Sequence, residues 1–442
     1  MALRKFLYFR IIFVYIFSLT PTRTGRTTMV TEKTLHKLAI LGGQSFDDRE
    51  GPPGMRKKPK YRRKFLASDT PAIFPVPFKG GRIMPLLSTM MTNACSYDCH
   101  YCPMRASRNM PRYAFSPEEL SDTFMALKRR NRAEGLFITS GVPGSGVTGV
   151  DRMIAAAEIL RFKHHFGGYI HLKMLPGVED SQLSRAAQIA TRLSVNLEAA
   201  TQRGLHAMAP EKSLETDLKP ALEYVGNMAR ESFFERTGLI IDGVTTQFIV
   251  GASGESDMDV LTASHSLQKR GLLRHTHFSA FKPVEDTPMD GVPSVSKTRE
   301  HRLYQAEHLL REYEFGLDEI PATDGNLALD EDPKTTWARR NLSQFPVEIM
   351  TADARTLMRV PGIGPTWAKR LVEVRRKAHI RDFRDLTRLG RIRKSAAGWL
   401  ALRGKRLGPE PVLATQLSLG LQHRGKRRVH PSMSNLPPCS FR

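Results

Sequence analysis

The sequence predicts an α/β fold: a partial (β/α)6 barrel followed by a small all-α domain. Three observations predict it. Six short apolar runs alternate with longer amphipathic stretches between residues 84 and 283. Residues 321–350 then break the pattern with a turn-rich segment that is acidic at first. From residue 351 the chain becomes short helical stretches with heavy positive charge. Parallel strands need long crossovers, so a repeated strand–helix order implies a parallel sheet with helices outside.

The elements follow in order. Strands are expected at 84–92 (MPLLSTMMT), 135–141 (GLFITSG), 169–175 (YIHLKML), 192–198 (RLSVNLE), 245–251 (TTQFIVG) and 277–283 (HFSAFKP). Helices are expected between them, at 116–131, 150–165, 179–191, 213–238 and 257–271. The first opens on Ser116-x-x-Glu119, a capping box that satisfies free amides at a helix start. In barrels of this kind, chemistry gathers at the C-terminal ends of the strands.

The flanks read differently. Residues 1–28 carry five basic residues, no acid, and a nine-residue apolar run at 11–19. That run is too short to span a bilayer. The segment is expected to be a disordered or non-native extension, with a targeting or membrane role as the alternative. Residues 29–83 read as an N-terminal arm holding RKKPKYRRK (56–64), with seven basic residues in nine. It is either a solvated segment or a phosphate-contacting arm. The barrel is assigned to 84–320, a linker to 321–350, a helical domain to 351–407, and a disordered basic tail to 408–442.

Net charge is +23, with 67 Lys and Arg against 44 Asp and Glu. That excess favours polyanionic partners. Four cysteines in 442 residues form no disulfide framework and fit a reducing compartment, so a cytoplasmic setting without membrane attachment is expected.

Three of those cysteines stand in TNACSYDCHYCPMR (92–105), spaced C-x3-C-x2-C as Cys95, Cys99 and Cys102. The loop follows the first predicted strand. Three thiolates on one loop can hold zinc or an iron–sulfur cluster. Structural zinc wants four protein ligands, and Cys439, three residues from the last residue, is remote. The spacing, with the aromatic Tyr101 just before the third cysteine, resembles the signature of the radical S-adenosylmethionine (SAM) superfamily. The resemblance implies a TIM-like partial barrel and a [4Fe–4S] cluster held by Cys95, Cys99 and Cys102. It implies SAM on the open iron, reductive cleavage to a 5′-deoxyadenosyl radical, and an external electron donor.

The resemblance spans about residues 84–285 and carries further residues. Tyr101 would contact adenine. Ser140 and Gly141 in FITSGVPGSG (137–146) stand where the family binds the SAM amino group, but the family's Glu is absent. Asn196 and Glu198 in SVNLEAATQ (194–202) match a ribose-binding segment. Strand alternation would put Ser194, Asn196 and Glu198 on one face. QFIVGASGE (247–255) resembles the adenine-contacting strand, with Glu255 one residue late, so only the strand's backbone role is carried over. Lys282 is open between substrate contact and solvent.

Residues 360–365 read VPGIGP between two amphipathic stretches, which resembles a helix-hairpin-helix motif. Gly362 and Gly364 would make a tight turn that lets backbone amides at a helix start meet a phosphate, with Lys369 and Arg370 one turn on. A diverged copy at 386–400 aligns with 357–371, with Arg391 and Arg393 in place of the glycines. Residues 351–407 hold sixteen Lys and Arg against four Asp and Glu. Tandem hairpins grip duplex DNA through its backbone without reading sequence.

The combination resembles a family described as DNA modification or repair radical SAM proteins. The expectation is therefore a radical SAM enzyme acting on DNA. A radical enzyme on a small molecule or protein, merely localised by the hairpins, and a non-enzymatic nucleic-acid-binding protein with a structural metal are the alternatives.

Overall fold

The computed structural model describes residues 31–45, 72–78, 81–235, 240–377, 380–388 and 394–411. The expected extension at 1–28, the basic segment 56–64, Arg391, Arg393 and most of the tail lie outside the described residues. The chain forms two compact units, divided between Trp337 and Ala338.

The first unit is built on a seven-stranded sheet in the order β1-β2-β3-β4-β5-β6-β7. Six strands run parallel: β2 (Ile83–Met90), β3 (Gly135–Thr139), β4 (Tyr169–Met174), β5 (Arg192–Val195), β6 (Val244–Val250) and β7 (His275–Ala280). These are the six predicted runs. The sheet order is sequential and its two ends do not pair, which gives a partial barrel. Leu136, Ile138, Leu172 and Phe248 are fully buried, as expected for strands covered on both sides. Each such side chain contributes about 2 kcal/mol of burial.

Sequence reading missed β1 (Ile73–Pro77), which pairs antiparallel to β2 and forms one edge of the sheet. Its alternation is obscured by Pro75 and Pro77, residues that only an edge strand tolerates. It also missed α1 (Glu32–Gln44), within the expected arm, which buries Leu38 and Leu41. Gly42 packs so closely on β1's approach that a Cβ would lie 2.2 Å from Ala72 Cβ.

The crossovers are α2 (Pro117–Arg129), α3 (Gly146–Glu158), α4 (Asp180–Ile189), α5 (Gln202–Met208), α6 (Lys219–Glu235) and α7 (Asp257–Lys269). In α2 the Ser116 side chain accepts from Glu119 N at 3.1 Å. The Glu119 carboxylate does not close the expected box; it accepts from Thr34 Oγ1 at 2.8 Å and Lys37 Nζ at 2.6 Å, tying α2 to α1. A further helix, α8 (Lys297–Glu312), follows β7 and buries Leu303, Ala306 and Leu309.

Residues expected as a linker carry structure. They form the hairpin β8 (Ala322–Thr323) and β9 (Asn326–Leu327), then α9 (Pro333–Arg340) and β10 (Val347–Glu348). Asp257 fixes the hairpin, since its carboxylate accepts from Leu327 N at 2.9 Å and Arg299 Nε at 2.7 Å.

The second unit holds α10 (Ala354–Arg359), α11 (Pro365–Val374) and α12 (Phe383–Arg388). Leu357, Ile363, Ala368 and Leu371 of the first hairpin are buried, as are Leu386, Ala397 and Leu400 of the diverged copy. Beside these helices runs a three-stranded sheet, where only helices were expected. β11 (Leu400–Leu402) pairs parallel to β10 and antiparallel to β12 (Lys405–Arg406). The second copy reaches β11 through a six-residue 3-10 helix, Lys394–Trp399. Gly398 disfavours a longer helix, and a Cβ there would lie 2.2 Å from Pro409 O.

Candidate active site

The cysteine loop leaves β2 and is held by side chains that satisfy its backbone. Arg112 donates to four loop carbonyls: Asn93 (2.6 Å), Met104 (2.8 Å), Arg105 (2.7 Å) and Arg108 (3.0 Å). Asp98 accepts from the Arg105 guanidinium through both oxygens and from Ser107 N and Oγ at 3.0 and 2.8 Å. The Arg105 hydrogen bonds hold the Asp98 carboxyl well below the usual carboxylate range. A planar fork on a carboxylate fixes direction as well as charge, so the loop has a defined shape.

The end of β3 supports the loop from beneath. Gly141 N donates to Thr92 O at 2.8 Å, and Ser96 N donates to Val142 O at 2.8 Å. A Cβ on Gly141 would lie 2.3 Å from Ala94 O and 3.3 Å from Cys95 Cβ. Glycine is required there by close approach. Gly141→Ala is expected to overpack this contact at a cost of about 1–3 kcal/mol. A fall in melting temperature together with poorer iron retention checks it; an unchanged chain would show that the contact yields easily. Ser140 Oγ is buried beside it without a hydrogen-bond partner.

From the other side the chain after α5 covers the loop. His100 N donates to Met208 O at 2.7 Å, and His100 Nδ1 lies 2.9 Å from Ala207 O. Asp98 N donates to Glu211 Oε2 at 2.6 Å. This segment delivers Lys212, a residue that sequence reading did not single out. Its Nζ lies 3.8 Å from Glu198 Oε1, and both side chains are buried. Burial alone would lower the Lys212 pKa, but Cys99, Glu198 and Cys102 around it raise it above the ordinary lysine range.

Cys99 is buried, while Cys95 and Cys102 are half-buried, as is Tyr101. Burial pushes the Cys99 thiol up against the opposing pull of Lys212. Burial also pushes the Cys102 thiol up to about 12, with the other two cysteines adding to it. Cys99 and Cys102, which resist ionising alone, belong to a donor set that a positively charged iron core would stabilise. Among the described residues, no three His, Cys, Asp or Glu side chains converge on a point that could hold a single metal ion. A four-iron cluster takes each thiolate at a separate iron, so its demand on the loop differs.

Asn196 and Glu198 part company in the structure. β5 ends at Val195, and Glu198 adopts φ +66°, outside the extended region. The expected continuous face of Ser194, Asn196 and Glu198 is therefore broken. Glu198 turns toward Lys212, whereas Asn196 Nδ2 donates to Gln247 Oε1 at 2.9 Å inside the barrel. Replacing Lys212 by Met is expected to strand the Glu198 carboxylate, at a cost of about 3 kcal/mol. Lys212→Met/Glu198→Gln should recover most of it in denaturant titrations; equal losses in both variants would mean the pair is uncoupled.

Glu255 has a structural role here. Its carboxylate accepts from Ala200 N (3.0 Å), Thr201 N (2.7 Å) and Thr201 Oγ1 (2.6 Å), anchoring the turn that opens α5. Lys282 is exposed.

Inside the barrel, Met84, Leu86, Phe137 and Tyr169 form an apolar plug at the strand N-terminal ends, joined by Val76 and Phe78. Beyond it the strands leave only a space of about 10 Å³, the size of a single water, beside Phe137, His171, Ser194, Thr245 and Gln247.

In the second unit, the VPGIGP turn lies between α10 and α11. Gly362 adopts φ +88°, and Gly364 is the N-cap of α11 with no side-chain cap. Lys369 and Arg370 are exposed on the same helix. No helix among the described residues is long and apolar enough to cross a membrane.

Two family models match parts of this chain. The radical SAM superfamily model matches residues 89–265, and a helix-hairpin-helix motif model matches residues 343–398. Among solved structures, the chain is similar to HydG, a maturase of the [FeFe]-hydrogenase, at 14% identity and TM-score 0.39, covering 51% of this chain and 49% of that one. It is similar to methylornithine synthase, PylB, at 15% identity and TM-score 0.39, covering 51% of this chain and 61% of that one. It is also similar to TsrM, a radical SAM methyltransferase from Kitasatospora setae, at 15% identity and TM-score 0.34, covering 46% of this chain and 38% of that one. The chain thus spans about half the length of the first of these. No curated protein matches it. Residues 89–265, from the end of β2 through the cysteine loop and into α7, thus match the radical SAM superfamily, whose cofactors are a [4Fe–4S] cluster and SAM, and residues 343–398 match a helix-hairpin-helix motif.

Proposed function

We propose that this chain is a radical SAM enzyme that acts on DNA, in modification or repair. Cys95, Cys99 and Cys102 would hold the cluster, and SAM would fill the site between the loop and the strand ends. When bound and reduced by an external donor, the cluster and SAM together supply a 5′-deoxyadenosyl radical for hydrogen abstraction. The observation that carries the reading is the loop itself: three thiols on one turn, shaped by Arg112 and Asp98 and faced by buried Lys212.

The chain's own residues would do the rest. Gly141 holds the loop against β3, and the nearby Ser140 hydroxyl is free to meet the SAM amino group. Tyr101 would lie along adenine. Asn196 and Glu198 would meet the ribose hydroxyls, with Lys212 paired to Glu198. The barrel walls exclude water from the reacting atoms.

The DNA assignment rests on the second unit. At the glycine turn, α11 begins without a side-chain cap, so its first amides have room for a phosphate oxygen, and Lys369 and Arg370 add charge. Such contacts position a duplex and carry no sequence information.

The test is to incubate reconstituted enzyme, dithionite and SAM with duplex DNA under anaerobic conditions. DNA should stimulate 5′-deoxyadenosine release, and mass spectrometry of the digested nucleosides should find a new species. SAM cleavage that neither DNA nor RNA stimulates would move the substrate to a small molecule or a protein. Stoichiometric zinc in place of iron would end the enzyme reading altogether.

A further inference from the structure

The parallel strands begin at the end of the barrel remote from the cysteine loop, and there the chain gathers positive charge. Lys128 and Arg129 close α2, and Arg130 and Arg132 follow before β3. Beside them α3 runs on into a five-residue π-helical turn, Ile159–Lys163, whose exposed residues are Phe162 and Lys163. The two segments touch. Buried Phe166 packs edge-on to Phe124, with centroids 5.0 Å apart, and Lys128 Nζ lies 5.6 Å from its ring. Arg161 donates to the Phe166 and Gly168 carbonyls and, at 2.7 Å, to Ile189 O. A buried ring and an arginine thus give the patch a defined base.

Helix chemistry explains part of this. Cations suit a helix C-terminus, which accounts for Lys128 and Arg129. It does not account for the charge beyond the helix, nor for the aromatic. Nearby carboxylates are engaged elsewhere: Glu134 by Arg82 at 3.2 Å and Glu158 by Arg185 at 2.5 Å, while Asp122 lies 3.2 Å from His164. Among the described residues, no carboxylate pairs with Arg129, Arg130 or Arg132. Phe162 is 60% exposed, with the Arg185 guanidinium 5.5 Å from its ring centroid. The π-helical turn that carries this ring is of a kind that is rare and concentrates at functional sites.

We infer that this patch is a second nucleic-acid surface, separate from the hairpin, and that it holds single-stranded DNA: Phe162 stacks on a base while Arg129, Arg130, Arg132 and Lys163 meet phosphates. An aromatic platform beside a cationic track is how unpaired strands are held without sequence preference. A lone ring among cations matches the face of a base, whereas a bilayer would take several apolar side chains together. A duplex hides its base faces, so it offers Phe162 nothing to stack on. The choice of DNA over RNA rests on the proposed substrate. Enzymes that act on a base must take it out of the stack, so a surface for an unpaired strand serves that chemistry.

The full chain tests this by fluorescence anisotropy on labelled oligothymidine at several salt concentrations, in a Lys369→Met/Arg370→Met background that weakens the hairpin. Arg129→Ser/Arg130→Ser/Arg132→Ser should flatten the log–log salt dependence by about two, at about 0.7 per phosphate. Phe162→Ala should weaken binding about 5-fold or more with the slope unchanged, and Phe162→Trp should restore it. These side chains are all exposed, so the melting temperature should hold in every variant. The inference is overturned if the triple variant keeps its salt slope, if Phe162→Ala binds as well as the parent, if duplex DNA binds the patch as tightly as the single strand, or if oligouridine binds more tightly. Phosphatidylserine vesicles bound through Phe162, with no oligothymidine bound, would overturn it in favour of a membrane surface. SAM cleavage is measured in parallel. A chain that binds oligothymidine through the patch but releases no 5′-deoxyadenosine sinks the radical reading alone, and one whose SAM cleavage DNA stimulates but which binds no single strand sinks this inference alone.

Discussion

A Cys99→Ala chain, reconstituted anaerobically, is expected to lose its cluster while keeping its fold. Cys99 is 6% exposed, the central ligand of the three. The hydrogen bonds that shape the loop run through Asp98, Arg105 and Arg112, so removing one thiol leaves them in place. The melting temperature before reconstitution should therefore barely change. Iron should fall from about four per chain to below about one, since two cysteines do not hold a four-iron core. Release of 5′-deoxyadenosine should drop by at least about 100-fold, because loss of even an outer-shell partner costs a metal site 10- to 100-fold. Cys439→Ala is the control and should keep both. Normal iron in the Cys99 variant, or normal iron loss only with Cys439→Ala, would refute the ligand assignment.

The second large effect concerns DNA. Lys369→Glu/Arg370→Glu should cut duplex affinity by about 10- to 100-fold at 0.1 M salt and flatten the log–log salt dependence by about two. Both side chains are exposed, so charge reversal leaves the core of Leu357, Ile363, Ala368 and Leu371 intact. The salt slope separates this from a stability effect, because it counts phosphates neutralised. Replacing Gly362, at φ +88°, by valine would act on folding instead, through a backbone strain of about 1–3 kcal/mol. An unchanged slope in the double variant would remove the hairpin from the DNA interface.

Some of this was legible in the sequence for a simple reason. The six parallel strands are local apolar runs, and the three cysteines stand within eight positions, so the pattern and the ligand set needed no tertiary information. Lys212 was not legible. Its environment exists only because α5 carries the chain back over the loop, joining Asp98 to Glu211 across 113 residues. Period-two alternation predicted Glu198 on the Asn196 face and failed where the backbone turns left-handed. Glu255 looked like a misplaced ligand-binding residue, and its off-register spacing fits the turn it anchors before α5. The short strands β8 to β12 are two or three residues long, too short for any periodicity to register.

The prolines of β1 have a consequence for self-association. A partial barrel ends in strands whose outer backbone groups can template a strand from another molecule. At Pro75 and Pro77 the outermost strand lacks amide hydrogens, so an incoming strand would find gaps in the ladder. With a net charge of +23, two copies also repel one another on approach. At this edge the chain resists pairing with itself, which keeps an unclosed sheet from growing into an intermolecular one.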